Sequence, residues 1–563
     1  MNGLNTDRSK GISYAIFTAL LALYFAIVVN LPFYKELHTI YSHTDTVNLG
    51  FLLSIPLFLW ASLNFLFSLF SWPYLIKPFF IVLLICSSIV SYAGYNYGVL
   101  FDLSMMTNLF ETNQSEALSY LSVYSIGWVV AMGVIPALAV VKIRFKTAHP
   151  LGLIQSKLLS MVISILVVTA VVGLYYQNYV SVGRNHHTLN RALIPTEFVS
   201  SLSRYIKRHY FATPVKYHQL GLDAQQSAEA LEAAESKPTL VVFMVGETAR
   251  AQNYQLNGYN RETNSYTRDM GVISFQDVSS CGTATAVSVP CMFSNMDRSH
   301  FDRQLADNQD NVLDILKRAG VDVLWRDNDG GDKQVAKNVA KQEIAHAPAD
   351  PQCNGSTCYD MALLENFEQH VDSLKGNRLM VMHLIGSHGP TYFQRYPKDR
   401  AMYFPDCERS DIENCTPEQI INSYDNSILY TDYVVSQAID KLKALQEQFN
   451  TALIYVSDHG ESLGEEGIYL HGLPYSLAPN FQKRVPFLLW MSPGFKQVKH
   501  INTRCLQQEA QQTGIHSHDN VFHSLLGMMD VVTQEYKSKL DIFSACRVEN
   551  NSSHAGKKFV SNP

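Results

Sequence analysis

Residues 11 to 33 of this chain carry no charged side chain, and neither do 46 to 76, 117 to 141 or 158 to 183. A bilayer core about 30 Å thick is crossed by about 20 apolar residues in a helix. Helices are the form in which such runs satisfy their own backbone groups in lipid. The pattern predicts five spans, near 12–33, 48–72, 78–98, 119–141 and 158–180. Pro56 and Pro136 fall inside the second and fourth, where neighbouring helices can accommodate them. A cleaved signal peptide does not suit the first run, which is too long, lacks a small-residue cleavage site and is followed by further spans.

Orientation follows from the basic residues. Arg8 and Lys10 precede the first span, Lys77 lies in the second loop, and Lys142, Arg144, Lys146 and Lys157 lie in the fourth. The alternate loops hold Lys35 and no other Lys or Arg. The positive-inside bias puts the N-terminus in the cytoplasm, and five spans then deliver the C-terminal half to the outside, the periplasm of a Gram-negative cell. Of nine cysteines, Cys86 lies in the third span and reads as a free core thiol; the other eight follow the last span. They come as Cys281/Cys291, Cys353/Cys358, Cys407/Cys415 and the more distant Cys505 and Cys546. An oxidising compartment favours disulfides, and the spacings do not suit a zinc ribbon. Sequential pairing rests on proximity alone. A net charge of -6 argues against a nucleic-acid partner.

The expected organisation is a transmembrane domain over 1–183, a bridging helix and linker over 184–237, and a catalytic domain over 238–563. Within the bridge, 189 to 210 suits an amphipathic helix at the membrane surface, with Phe198, Leu202, Tyr205 and Ile206 on one face. Apolar runs at 239–246, 321–326, 378–385, 452–457 and 485–491 read as strands buried on both faces. Helices are expected at 309–318, 416–447 and 518–530. This alternation predicts an α/β sandwich with a mostly parallel sheet, whose functional groups gather at the carboxyl ends of the strands.

Glu247 follows the first of those strands and Asp458-His459 a later one. Carboxylates buried there without a partner would cost several kcal/mol, which a dication removes. Thr285 sits among small residues in SCGTATAVSVPC, with Thr283 as the rival hydroxyl. If Thr285 opens a helix, the backbone N–H groups there favour an anionic phosphoryl group. Carboxylate, hydroxyl, carboxylate and imidazole form an N/O set suited to zinc, and the hydroxyl is a nucleophile once its pKa is lowered. His383 and His388 flank HLIGSHGP, and His471 lies in YLHGLP. His388 and His471 suit a second metal, the phosphoryl oxygens or proton transfer. Lys333, after Gly330-Gly331, suits a phosphate charge.

Taken together, GETARAQNYQLNGYNRET, SCGTATAVSVPCMFS, GSHGP, INSYDNS and YVSDHGESLGE with YLHG closely resemble the bacterial phosphoethanolamine transferases of the outer-membrane-lipid type. The likeness extends over nearly the whole chain and is strongest to the lipid A enzymes, which include the mobile colistin-resistance proteins. It implies a five-helix transmembrane bundle in the inner membrane and an α/β alkaline-phosphatase-like (sulfatase-like) domain in the periplasm. The implied reaction moves phosphoethanolamine from phosphatidylethanolamine to a lipid A phosphate. By motif, Glu247, Thr285, Asp458 and His459 resemble the family's zinc ligands and Thr285 its nucleophile; His388 and His471 resemble a second, weaker site. Lys333 resembles a substrate-contacting lysine, and Asn108, Thr112 and Glu116 resemble head-group contacts. The implied mechanism is ping-pong through a phosphoethanolamine-threonine intermediate in a monomer surrounded by inner-membrane lipids. The added ammonium group lowers surface negative charge and should weaken polymyxin and other cationic peptides.

Three rivals are weaker. A sulfatase of this class needs a Cys or Ser followed by Pro and Arg, a pattern that SCGTATAVSVPC lacks. A sensor with a structural metal would form no covalent intermediate. A transporter would carry ionisable residues along its spans. Residue types leave another envelope glycan, or a membrane-anchored phosphatase, as alternative readings of the same domain.

Overall fold

The computed structural model describes residues 11–42, 48–146, 149–211, 213, 215–347, 350–355 and 357–548. Arg8 and Lys10, used above for orientation, lie outside them. The chain divides into two compact units. One comprises Met1–Leu109, Tyr120–Ala212 and Gly464–Tyr469; the other comprises Phe110–Ser119, Thr213–Leu463 and Leu470–Pro563.

The first unit is helical. Leu49–Phe70, Ile76–Tyr97, Val123–Lys142 and Pro150–Leu174 are each long and apolar enough to cross a membrane. A fifth span is formed if Tyr14–Val29 and Leu31–Tyr41, bent by 50° against each other, count as one. The bend falls at Asn30, just before Pro32, where proline interrupts the helical ladder. Fully buried Asn30 satisfies the broken backbone, donating to the Phe25 and Ile194 carbonyls and accepting from the Ile194 N–H. Phe17, Phe25, Phe67 and Phe80 interlock edge-on inside the bundle. Leu53 and Leu166 face outward. The last span starts before the expected residue 158 and includes Lys157. Its ammonium stands 3.5 Å from the centre of the Trp72 ring, a cation–π contact that lets a lysine sit in an apolar helix. Cys86 is a free thiol, as expected, but faces outward instead of into the core. The amphipathic helix runs over Thr196–Tyr210, shorter at its start because Pro195 lacks an N–H and caps it.

The second unit is built on one mixed sheet. Its strands are β1 (Thr239–Gly246), β2 (Ile273–Ser279), β3 (Asp322–Asp327), β4 (Ala340–Glu343), β5 (Arg378–His383), β6 (Asn450–Ser457), β7 (Arg484–Met491) and β8 (His516–Ser517). They lie in the order β8-β2-β7-β6-β1-β5-β3-β4. β7 runs antiparallel to both neighbours, and every other pairing is parallel. All eight residues of β1 are buried, the mark of a central strand covered on both faces. Register sets the site. Gly246 pairs with Ser457, Val245 with His383, and Asp327 with His383, so the carboxyl ends of β1, β3, β5 and β6 finish level at one edge. Three helices expected from the sequence form as α2 (Val312–Arg318), α3 (Pro417–Ala444) and α4 (Asp519–Met528), following α1 (Thr285–Met292). Disulfides join Cys281–Cys291, Cys353–Cys358, Cys407–Cys415 and Cys505–Cys546.

Candidate active site

Glu247, the first residue beyond β1, is fully buried. The chain turns sharply after it: Thr248 adopts φ +59°, an unfavourable region for a β-branched residue. α3 holds that turn. The Tyr424 hydroxyl donates to the Thr248 carbonyl (2.7 Å) and accepts from the Arg250 N–H (2.9 Å). The next residue, Asp425, accepts from Asn253, Tyr259 and Arg261. The INSYDNS and GETARAQNYQLNGYNRET motifs are therefore two halves of one brace. GSHGP contributes close approach: a Cβ on Gly386 would stand 2.5 Å from the Glu247 carbonyl oxygen, and its φ is +50°.

Thr285 is the first residue of α1, with Ala284 as its cap, so its hydroxyl stands at the N-terminal turn of a helix. Its Oγ1 donates to Glu247 Oε2 at 3.1 Å and lies 3.4 Å from His459 Nε2. The Thr283 hydroxyl is instead given to the Leu473 carbonyl, which separates the two threonines in role. His459 Nδ1 faces the Gly460 carbonyl at 2.9 Å, so that nitrogen carries the hydrogen. Nε2 is left as an acceptor, 3.5 Å from Glu247 and 3.3 Å from Asp458 Oδ2. That Oδ2 is buried and has no hydrogen-bond partner among the described residues. Glu247, Asp458 and His459 each place a ligand atom within 4.8 Å of the others. An orphaned buried carboxylate oxygen and an acceptor-only imidazole nitrogen, converging with a hydroxyl, fit a metal ion.

The electrostatics agree. Burial, then the charge of Glu247, pushes the Asp458 carboxyl far above its usual range. Burial would raise Glu247 too, but the charges of His388 and His471 oppose it, and Glu247 is held well below the normal carboxylate range. Burial and the neighbouring His471 push His459 down to about 3, leaving it neutral as a ligand must be.

The other expected residues are placed as follows. His388 Nε2 lies 3.3 Å from Glu116 Oε1, and His471 Nδ1 lies 2.8 Å from Glu461 Oε2. The His459 and His471 rings are 4.4 Å apart, and those of His388 and His471 5.7 Å. Burial disfavours the charged form of His388, but Glu116 outweighs it and raises the group to about 9. Lys333 is half-buried; burial would lower its pKa, yet Asp329, Glu116 and Glu247 raise it, so its charge persists. Thr112 and Glu116 belong to the second unit and Asn108 to the first.

Several residues that serve the site carried no signal in the sequence. His518, fully buried, accepts from the Cys281 N–H at Nδ1 and faces the Ser457 carbonyl with Nε2 at 2.9 Å. Ser288 on α1 donates to the Asp458 carbonyl. Both tie the Thr285 loop to the end of β6. Arg303 donates to the Ala286 carbonyl and pairs with Glu111 (3.2 Å) and Asp307 (2.8 Å). Glu461 accepts from Tyr392 (2.6 Å) while orienting His471.

Comparison with known proteins bears on this arrangement. The sulfatase family profile matches residues 239–531, and the profile described as phosphoethanolamine transferase EptA/EptB matches residues 59–210. Phosphoethanolamine transferase EptA of Escherichia coli (strain K12) is 39% identical over 530 residues, covering 94% of this chain and 96% of that one. Phosphatidylethanolamine transferase Mcr-1 of Escherichia coli is 34% identical, covering 94% and 97%. Among solved structures, the integral membrane protein lipooligosaccharide phosphoethanolamine transferase A (EptA) from Neisseria meningitidis superposes with a TM-score of 0.91 at 34% identity, covering 95% and 99%. Fold and site thus define an enzyme with an alkaline-phosphatase-like domain joined to membrane-spanning helices. The chain belongs to the phosphoethanolamine transferase family. It is an integral membrane protein of the bacterial inner membrane, with its soluble domain in the periplasm.

Proposed function

We propose that this enzyme moves phosphoethanolamine from phosphatidylethanolamine to a phosphate of lipid A, in two steps, through a phosphoethanolamine ester of Thr285. One observation carries the reading: a single threonine hydroxyl, at the first turn of a helix, lies within 3.4 Å of an acceptor imidazole nitrogen and a carboxylate in a buried cluster of metal-type donors. Relatives called phosphoethanolamine and phosphatidylethanolamine transferases, at 39% and 34% identity, support the donor. The acceptor is supported by a relative called Kdo(2)-lipid A phosphoethanolamine 7''-transferase, 32% identical over 304 residues.

Glu247, Thr285, Asp458 and His459 are the residues that would hold zinc, which when bound lowers the pKa of a hydroxyl and screens charge on a phosphoryl group. In the first step Thr285 Oγ1 releases its proton to solvent, a bond forms from Oγ1 to phosphorus and the bond to the glycerol oxygen breaks. Diacylglycerol leaves with a proton, which His388 or His471 is placed to supply. In the second step a lipid A phosphate oxygen attacks the phosphorus, the bond to Oγ1 breaks, and the hydroxyl regains its proton. The first N–H groups of α1 orient the phosphoryl oxygens, and Lys333 offsets their charge. Mass spectrometry of lipid A from cells with and without this chain tests the reading. Lipid A heavier by one phosphoethanolamine is expected only in cells making the wild type; unmodified lipid A, with phosphoethanolamine on another glycan, would reassign the acceptor.

A further inference from the structure

A second set of metal-type donors overlaps the first at Glu247, and its other two members take no part in the proposed transfer. Glu247, Asp329 and His383 each offer a ligand atom, and these atoms lie within 4.8 Å of one another. We propose that they form a second divalent-cation site, sharing the Glu247 carboxylate with the site at Thr285.

Asp327 is the last residue of β3. Its carboxylate accepts from Trp325 Nε1 (2.9 Å) and from the N–H groups of Gly330 (2.9 Å) and Gly331 (2.8 Å). A carboxylate with three such donors is held as an acceptor. His383 Nδ1, 3.0 Å away, must therefore carry the hydrogen between them. That leaves Nε2 of a fully buried ring without a hydrogen-bond partner among the described residues. It faces Asp329 Oδ2 at 3.6 Å, too far for a hydrogen bond. A protonated ring paired with Asp329 would be expected to close to about 2.7–2.9 Å. An imidazole anchored by a carboxylate at one nitrogen, with the other aimed at two further carboxylates, is instead the arrangement that surrounds a ligating histidine.

The local chain is shaped for it. Gly330 (φ +91°) and Gly331 (φ +139°) fold the loop back over Asp327, in the left-handed region that side chains rarely enter, and leave Asp329 facing His383. Two carboxylates and one imidazole select a divalent ion of intermediate softness, zinc or manganese. Such an ion would keep the shared Glu247 ionised and fixed. The proposal rests on the reading of Thr285 as part of the first site only through that carboxylate.

Metal stoichiometry of the detergent-purified full chain tests it, by elemental analysis after equilibration with zinc chloride or, separately, manganese chloride. Two ions are expected in the wild type and in His388→Gln, but one in Asp329→Asn. One ion in the wild type, or a second ion that survives Asp329→Asn, overturns the proposal. So does a second ion lost in His388→Gln, which would place it at the histidine pair. Should Asp329→Asn fail to fold, anomalous scattering from wild-type crystals decides: a peak among Glu247, Asp329 and His383 is expected, and its absence overturns the site. A peak there without one at Thr285 would sink the transfer reading and leave this one standing.

Discussion

Tyr424→Phe removes one oxygen atom, far along the sequence from any proposed ligand, and should weaken metal binding. The ring is fully buried, and its hydroxyl satisfies two backbone groups at once, the Thr248 carbonyl and the Arg250 N–H. Leaving a buried backbone group unpaired costs about 1–3 kcal/mol, so the pair would lose about 2–6 kcal/mol. Local rearrangement is the cheapest response, because it also releases the strain at Thr248, about 1–3 kcal/mol for such a conformation. Glu247 immediately precedes that residue, so the relaxed turn misplaces a ligand. If the competent turn is disfavoured by about 2 kcal/mol, apparent zinc affinity falls about 30-fold. Competition against a chromophoric zinc chelator measures the shift, and transfer activity at limiting zinc should fall in parallel. Wild-type affinity in a folded Tyr424→Phe protein would refute the claim that α3 sets the geometry of the site.

Removing metal with a strong chelator should abolish transfer and lower the melting temperature of the soluble unit, since a ligand that binds only the native state stabilises it by mass action; an unchanged melt would speak against an ion at Glu247. His518 supplies a pH dependence. Burial pushes it down to about 4 from 6.5. Its contribution is complete above about pH 6.5 and is lost as pH falls through about 4, by about 3 kcal/mol in all. Melts in chelator from about pH 7 to about pH 4.5 should therefore fall more steeply in the wild type than in His518→Gln, whose side chain does not titrate; equal slopes would remove His518 from that role.

Glu247 and the Asp458-His459 pair could be read from sequence because each is polar and placed directly after an apolar strand. Glu247 follows TLVVFMVG and Asp458 follows NTALIYVS, two strands that pair in parallel. Other parts were hidden for physical reasons. β2, ISFQDVS, is only partly buried toward its end and reads as a loop, yet it pairs with the antiparallel β7. β4 and β8 are short edge strands with little apolar content. The supports of the site lie far away in sequence: Tyr424 is 176 residues from Thr248, and His518 is 237 from Cys281. No local pattern announces a histidine whose whole role is to join two loops. In the sequence Glu116 is marked by resemblance alone, as a loop carboxylate between spans; its contact with His388 depends on Phe110–Ser119 grouping with the soluble unit.

The most direct measurement is the mass of the purified full chain after incubation with phosphatidylethanolamine and no acceptor. Addition of one phosphoethanolamine, located by fragmentation on Thr285 and absent from Thr285→Ala, is the predicted result. An unmodified wild-type chain that nevertheless transfers the group once lipid A is added would contradict the covalent route, and a label on any other residue would contradict the assignment of Thr285.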